Sequence, residues 1–312
     1  MIKEQINARM LEEVLMGMSQ EQKSLPSKYF YDKKGSELFD RITDLKEYYP
    51  TRTEVQILME NIDSFHEYLG DHIVLIEPGS GSSTKTRILL DRLVGIEAYV
   101  PIDISSEYLH KVAKDLQDEY PEIEIRPLSA DYIHPFDLPE DLPPGRPIVF
   151  FPGSTIGNFS PETVREFLEV VYDLIGKEGG FLIGVDLKKD REILLAAYND
   201  SEGVTAEFNK NILRHINRLL GTDFKPDSYE HEAIWNEEES RIEMHLISKT
   251  DQQVCVNDRR YTIRKGESIH TENSHKYSLQ QFKKMVEPWF GVKKVWTDDE
   301  QLFSIQYLEP RS

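Results

Sequence analysis

A short apolar run, His72-Ile73-Val74-Leu75-Ile76, ends in Glu77, turns through Pro78-Gly79-Ser80-Gly81 and opens into Ser82-Ser83-Thr84-Lys85-Thr86. A strand that ends in an acid, turns through two glycines and starts a helix is suited to a small charged cofactor at the strand's carboxyl end. Gly79 and Gly81 let the backbone turn tightly and approach a ligand. Ser82, Ser83 and Thr84 offer hydroxyls and a helix N-cap. Asp103 closes the next apolar run, 24 residues after Gly79, where a doubly wound sheet places the carboxylate that grips a ribose.

The glycine spacing narrows the class. A dinucleotide fingerprint needs Gly or Ala three residues after the second glycine, and Thr84 stands there. No G-x-x-x-x-G-K-[ST] string for nucleoside triphosphates occurs. The remaining pattern, E-x-G-x-G after a strand, resembles the motif of S-adenosylmethionine (SAM) dependent methyltransferases. Taken alone, it is equally a tight turn with no ligand.

From residue 72 onward, apolar runs of strand length alternate with longer amphipathic segments. Strands are expected at 72–77, 97–103, 123–128, 147–151 and 180–186, with helices at 83–93, 105–119 and 160–176. That alternation predicts a parallel sheet wound on both faces. After Asp186 the rhythm breaks into helices at 189–199 and 203–220, short strands between 228 and 274, and a helix at 278–288. Two last runs, 291–297 and 302–308, resemble the antiparallel hairpin that closes a class I methyltransferase sheet. The expected fold is α/β, a Rossmann-like class I methyltransferase domain with a seven-stranded sheet, made from 72–187 and 276–312. The helical N-terminal part, 1–71, and the insertion 188–275 are expected to form a second, substrate-binding domain, with the active site in the cleft between the two.

Charge excludes some partners. With 37 basic and 56 acidic side chains the net charge is −19, so a nucleic acid would approach against a repulsive field. A small metabolite is far less affected. The single cysteine, Cys255, excludes an intrachain disulfide and thiolate zinc, suits a reducing compartment, and is expected to be a buried strand residue. The N-terminal segment lacks the apolar core of a secretion signal, and no run approaches a membrane span, so a cytoplasmic monomer without membrane or nucleic-acid partners is expected.

Four further segments invite explanation. Tyr29, Tyr31, Tyr48 and Tyr49 crowd K-Y-F-Y-D and E-Y-Y-P-T-R-T-E, where packing accounts for most of them and a ligand for one or two. F-F-P-G-S-T-I-G-N-F-S-P-E, from Phe150, follows the fourth strand; Ser160 and Pro161 read as a helix cap, whereas Asn158 is not explained by a turn and can both donate and accept. Tyr198, near a helix end in A-A-Y-N-D-S-E-G-V-T-A-E-F-N, is a core residue or a cleft residue. Lastly, R-I-E-M-H-L and I-H-T-E-N-S-H gather Met244, His270, Glu272, Ser274 and His275. Strand alternation would put His270 and His275 on opposite faces, and no metal-binding string is present, so no metal is expected.

Together and in this order, from about Leu25 to Leu308, these segments resemble the histidine-specific Nα-methyltransferases of ergothioneine biosynthesis. That resemblance implies SAM as methyl donor and trimethylation of the α-amine of L-histidine. Carried over by position, it implies cofactor binding by Gly79, Lys85, Asp103, Asp131 and Tyr132, with Asp103 on the ribose and Asp131 on the adenine. It implies histidine binding by Tyr48, Asn158, Tyr198, Met244, Glu272 and Ser274. Asn158 and Tyr198 would hold the carboxylate and amine, Glu272 and Ser274 the imidazole, and Tyr31 would lie near the reacting amine and orient it. Pro78 departs from the family's usual Leu but leaves both glycines. Relatives of the family act on a tryptophan derivative. An aromatic amino-acid N-methyltransferase of other specificity, or a SAM-binding regulator without turnover, are the competing expectations; Glu272 and Met244 favour histidine.

Overall fold

The computed structural model describes residues 2–81, 83–104 and 106–311. Ser82, expected among the turn hydroxyls, and Ser105, expected to open a helix, lie outside the described residues. The chain divides into two compact units, Met1–Tyr49 with Lys189–His275 and Pro50–Lys188 with Lys276–Ser312.

In the second of these units the strands lie in the order Phe290–Thr297, Phe303–Pro310, Gly180–Asp186, Arg146–Phe151, Ile73–Pro78, Ile96–Asp103, with Glu124–Ile125 and Leu128–Ser129 sharing the far edge. Only the pairings of Phe303–Pro310 are antiparallel. This is the seven-stranded class I arrangement with its closing hairpin. The strand expected at 123–128 is split in two, because Pro127 has no N–H to continue the ladder.

Side-chain alternation along the strands supplies the sheet's two cores. Leu75, Tyr99, Phe150 and Leu182 point into one, against Leu89 and Leu116 of the covering helices. Val74, Val100, Phe151 and Ile183 point into the other, against Phe167, Val171 and Phe282. Helices on both faces explain why Ile73–Pro78 and Gly180–Asp186 are buried at every position. Residues 50–71, expected with the N-terminal part of the second domain, belong instead with this sheet. Ile57, Leu58, Ile62, Phe65 and Leu69 form helical apolar stripes that fill the first core, and Phe65 stacks edge-on against Trp296 at 4.4 Å.

The other unit carries a smaller sheet in the order Lys23–Ser24, Ser268–His275, Arg241–Ser248, Tyr229–Asn236. A separate hairpin pairs Gln252–Val256 with Arg259–Ile263. Cys255 lies on that hairpin half-buried, because its neighbours Val254 and Val256 take the inward positions. The helix Val204–Leu220 buries Val204, Phe208, Ile212, Leu213 and Ile216, and helix Arg191–Tyr198 buries Leu194 and Ala197. No described helix is long and apolar enough to cross a membrane.

Candidate functional site

Every strand of the large sheet that precedes a candidate cofactor residue runs parallel to its neighbours, so their carboxyl ends share one edge. Gly79 follows Ile73–Pro78, Asp103 ends Ile96–Asp103, Asp131 and Tyr132 follow Leu128–Ser129, and the loop to Asn158 follows Arg146–Phe151. The topology therefore brings the expected cofactor residues together. Gly79 has φ of +68°, and its N–H donates to Ile102 O at 2.7 Å. A Cβ at this position would meet the Tyr132 hydroxyl at 3.3 Å, so glycine serves both the turn and the approach of Tyr132. Burial pushes the Tyr132 phenol well above its ordinary range, which keeps it neutral.

The expected N-cap is absent in that form. Ser83 takes the left-handed conformation (φ +54°) and makes no side-chain cap; its hydroxyl lies 2.9 Å from the Tyr99 hydroxyl. Tyr99 in turn donates to Glu77, as does Thr86 at 2.6 Å. Burial raises the Glu77 carboxyl to about 7 despite these two donors. Glu77 thus braces the turn from beneath. Ser80 is buried, and its Oγ has no hydrogen-bond partner. An orphaned hydroxyl inside a glycine turn, with carboxylates at the ends of the next strands, fits a nucleoside-bearing ligand.

Lys85 pairs with Glu54, a carboxylate with no exposed surface, which also accepts the Gly153 N–H at 2.9 Å. Gly153 has φ of +81°, which favours glycine, and a Cβ added there would lie in ordinary contact with Lys85 Nζ at 3.4 Å. Asp131 lies 3.4 Å from His134 Nδ1. Asn158 ends the 3-10 turn Thr155–Asn158, and the following cap is as expected, with Thr163 N–H donating to Ser160 Oγ at 3.2 Å ahead of Pro161.

In the other unit, Glu272 pairs in register with Met244, and Ser274 with Ile242, placing all four on one face of the sheet. The Tyr198 hydroxyl lies 2.8 Å from Ser274 Oγ, so the helix-end tyrosine belongs to this polar face. Tyr198, Met244, Glu272 and Ser274 are buried. Tyr48 packs edge-on to Tyr198 at 6.3 Å and to Phe39 at 6.2 Å. Tyr31 is 44% exposed, with its ring 5.7 Å from those of Phe39 and Phe208. The first unit thus gathers a polar end at Glu272 and Ser274 and an aromatic end at Tyr31, Tyr48 and Phe39.

His270 and His275 share a face, contrary to strict alternation, because a bulge between His270 and Glu272 shifts the register. His270 pairs with His245 and His275 with Arg241, four residues apart on the neighbouring strand. Glu243, His245 and His270 are clustered, but the two imidazoles stack at 5.0 Å with planes 23° apart. His270 Nε2 lies 2.9 Å from Glu272 O, which can only accept, so that nitrogen carries a proton. Arg241 and His245 instead pair with Glu243 and, with Asn236, hold its carboxyl at about 2 against the effect of burial.

Sequence reasoning missed Glu54, Ser80, Asn209 and Phe39. Two had a legible signal: Glu54 shares its helical stripe with Ile57 and Leu58, and Asn209 shares one with Ile212, Leu213 and Ile216. A polar residue on an apolar face needs a partner, and that need marks it.

Residues 10–310 match the model of a family described as histidine-specific, SAM-dependent methyltransferases. The chain is 41% identical over 293 residues to the histidine N-alpha-methyltransferase of Mycolicibacterium smegmatis, covering 92% of this chain and 90% of that protein. It is 30% identical to ergothioneine biosynthesis protein 1 of Neurospora crassa, over 84% of this chain and 30% of that longer protein. Among solved structures, an S-adenosylmethionine-dependent methyltransferase from Clostridium acetobutylicum shares the fold with a TM-score of 0.52 at 10% identity, over 88% of this chain and 98% of that one.

Proposed function

The chain belongs to the histidine-specific, SAM-dependent methyltransferase family, and on that premise we propose that it methylates the α-amine of L-histidine three times, a step of ergothioneine biosynthesis. The observation that carries the acceptor assignment is the buried face of Met244, Glu272 and Ser274 closed by the Tyr198 hydroxyl. An imidazole offers one N–H donor and one acceptor nitrogen. Glu272 accepts the N–H, the Ser274 hydroxyl donates to the other nitrogen, and Met244 lines the ring. A buried polar pair of this kind rejects side chains that leave it unsatisfied.

When bound, SAM supplies an electrophilic methyl on a sulfonium. Gly79 and the Ser80 hydroxyl would receive it at the turn, Asp103 would take the ribose hydroxyls, Asp131 and Tyr132 would hold the adenine end, and Lys85 would hold the carboxylate. Glu54 fixes the Lys85 ammonium from behind. Tyr48 and Tyr198 hold the amino-acid end of histidine. Only a neutral amine attacks, and an α-amine of pKa about 8 or above is mostly protonated at neutral pH, so its proton must pass to an acceptor or to bulk water. Tyr31 orients that nitrogen, and its exposure gives the released proton a route to water. Orienting nitrogen and carbon in line supplies much of the rate.

The net charge of −19 supports a small acceptor over a nucleic acid, and the lone Cys255, which can form no intrachain disulfide, supports a reducing, cytoplasmic setting. The test is mass spectrometry of L-histidine incubated with the protein and SAM. Products carrying one, two and three added methyls are expected. Unchanged histidine beside methylated tryptophan or tyrosine would overturn the acceptor assignment.

A further inference from the structure

Asn209 lies inside the helix Val204–Leu220 with no exposed surface, on the face turned to the small sheet. Its amide makes three hydrogen bonds. Nδ2 donates to His245 O at 3.1 Å and to His231 Nδ1 at 2.8 Å, and Oδ1 accepts from Thr271 Oγ1 at 2.7 Å. The network fixes its own proton directions. His231 Nε2 lies 2.8 Å from Tyr198 O, which can only accept, so Nε2 carries the proton and Nδ1 must accept from Asn209. Burial lowers the His231 pKa and keeps this neutral tautomer in place.

Each partner sits next to the acceptor face. Thr271 forms the bulge immediately before Glu272, and its hydroxyl also lies 3.0 Å from Met244 O. On the other side, His231 holds the backbone of Tyr198, whose hydroxyl meets Ser274. One buried amide therefore ties together the strand positions of Glu272 and Met244 and the helix end bearing Tyr198. An alternating strand without the bulge would not place both Glu272 and its neighbours in this register.

We propose that Asn209 is a positioning residue for acceptor recognition, which sets, through Thr271 and His231, the spacing between the imidazole-binding Glu272 and the amine-end Tyr198. The proposal rests on the acceptor assignment made above. It predicts a defect confined to the amino-acid substrate, because every contact of Asn209 lies within the unit that carries the acceptor face.

The variants are Asn209→Leu, Thr271→Val and His231→Gln, each measured for histidine KM and kcat, for kcat/KM with tryptophan, and for S-adenosylhomocysteine affinity by calorimetry. Asn209→Leu should raise histidine KM about tenfold or more and lower the histidine-to-tryptophan ratio of kcat/KM by a similar factor. S-adenosylhomocysteine affinity should change less than about twofold. Thr271→Val should raise histidine KM about three- to tenfold, and the double variant Asn209→Leu/Thr271→Val should lose less than the product of the two singles. Thr271→Val and His231→Gln remove single bonds and decide the matter if Asn209→Leu fails to fold. Unchanged histidine KM in both, or a parallel loss of histidine and S-adenosylhomocysteine binding, would overturn the proposal. Wild-type protein that leaves histidine unmethylated would sink the acceptor assignment instead, so the two failures are distinguishable.

Discussion

The hydroxyl of Tyr198 lies 2.8 Å from that of Ser274, joining the end of the helix Arg191–Tyr198 to the strand Ser268–His275. Two hydroxyls in contact share one proton, so one of them is left to donate toward a ligand. Removing either leaves the other buried with a lost partner, at a cost of about 1–3 kcal/mol. Tyr198→Phe and Ser274→Ala should each raise histidine KM by roughly 5- to 100-fold. The double variant should be only slightly worse than the worse single one. Initial rates at saturating SAM check this, and strict multiplication of the two effects would count against a shared role.

Glu272 is the group proposed to accept the imidazole N–H, and it is buried beside Met244. A hydrogen bond to a buried carboxylate is worth about 1.5–3 kcal/mol. Glu272→Ala should therefore lower kcat/KM for histidine by roughly 10- to 100-fold, with tryptophan gaining relative to histidine. Direct titration should find the affinity for S-adenosylhomocysteine unchanged. Equal histidine turnover in the variant would remove Glu272 from the acceptor site.

Much of this was legible before any coordinates. The sheet was readable because strands covered on both faces are written as unbroken apolar runs, and Gly180–Asp186 shows this at all its positions. The glycine turn was readable because Gly79 and Gly81 do adopt positive φ, of 68° and 50°. What stayed hidden depends on contacts between distant residues. The bulge at Thr271 has no local signature, so the shared face of His270 and His275 could not be inferred from parity alone. Residues 50–71 carry a helical pattern that says they pack, but not against what. Ser83 reads as a cap from its neighbours; Tyr99, sixteen positions away, claims its hydroxyl instead.

Lys85 and Glu54 form a pair whose carboxylate has no exposed surface. If Lys85 holds the carboxylate of SAM, Lys85→Met should weaken S-adenosylhomocysteine about 10-fold or more, in keeping with the loss of a charge-assisted hydrogen bond. Methylthioadenosine has no such carboxylate, and its affinity should stay the same. Calorimetry with the two ligands separates the cases; equal weakening of both would assign Lys85 a structural role only.

Lys276 Nζ lies 2.7 Å from Asp186 Oδ2, and neither side chain is more than 2% exposed. Breaking such a pair leaves a charge in a dry setting, which costs about 3–5 kcal/mol. Lys276→Met should destabilise the protein by that amount in urea unfolding. Pairing it with Asp186→Asn should recover most of the loss, because the stranded charge is then gone. A double variant as unstable as Lys276→Met would show that the ion pair itself, and not an uncompensated carboxylate, carries the stability.

Glu77 gives the chain a pH-dependent element of known sign. Burial raises its carboxyl from 4.5 to about 7, against the opposing effect of its donors Thr86 and Tyr99, which both meet Oε2. Between those two values the folded chain retains a proton that the unfolded chain has released. Stability from this residue therefore falls as pH rises from about 4.5 to about 7 and is level above, by roughly 3 kcal/mol in all. Glu77→Gln keeps the shape and an acceptor but cannot ionise. Its stability relative to the wild type should thus grow across that window and plateau beyond it. Urea unfolding of both proteins at a series of pH values makes the comparison, with every other titrating group common to the pair. A difference that stays constant from pH 4.5 to pH 8 would mean that Glu77 ionises in the folded protein as readily as in the unfolded chain.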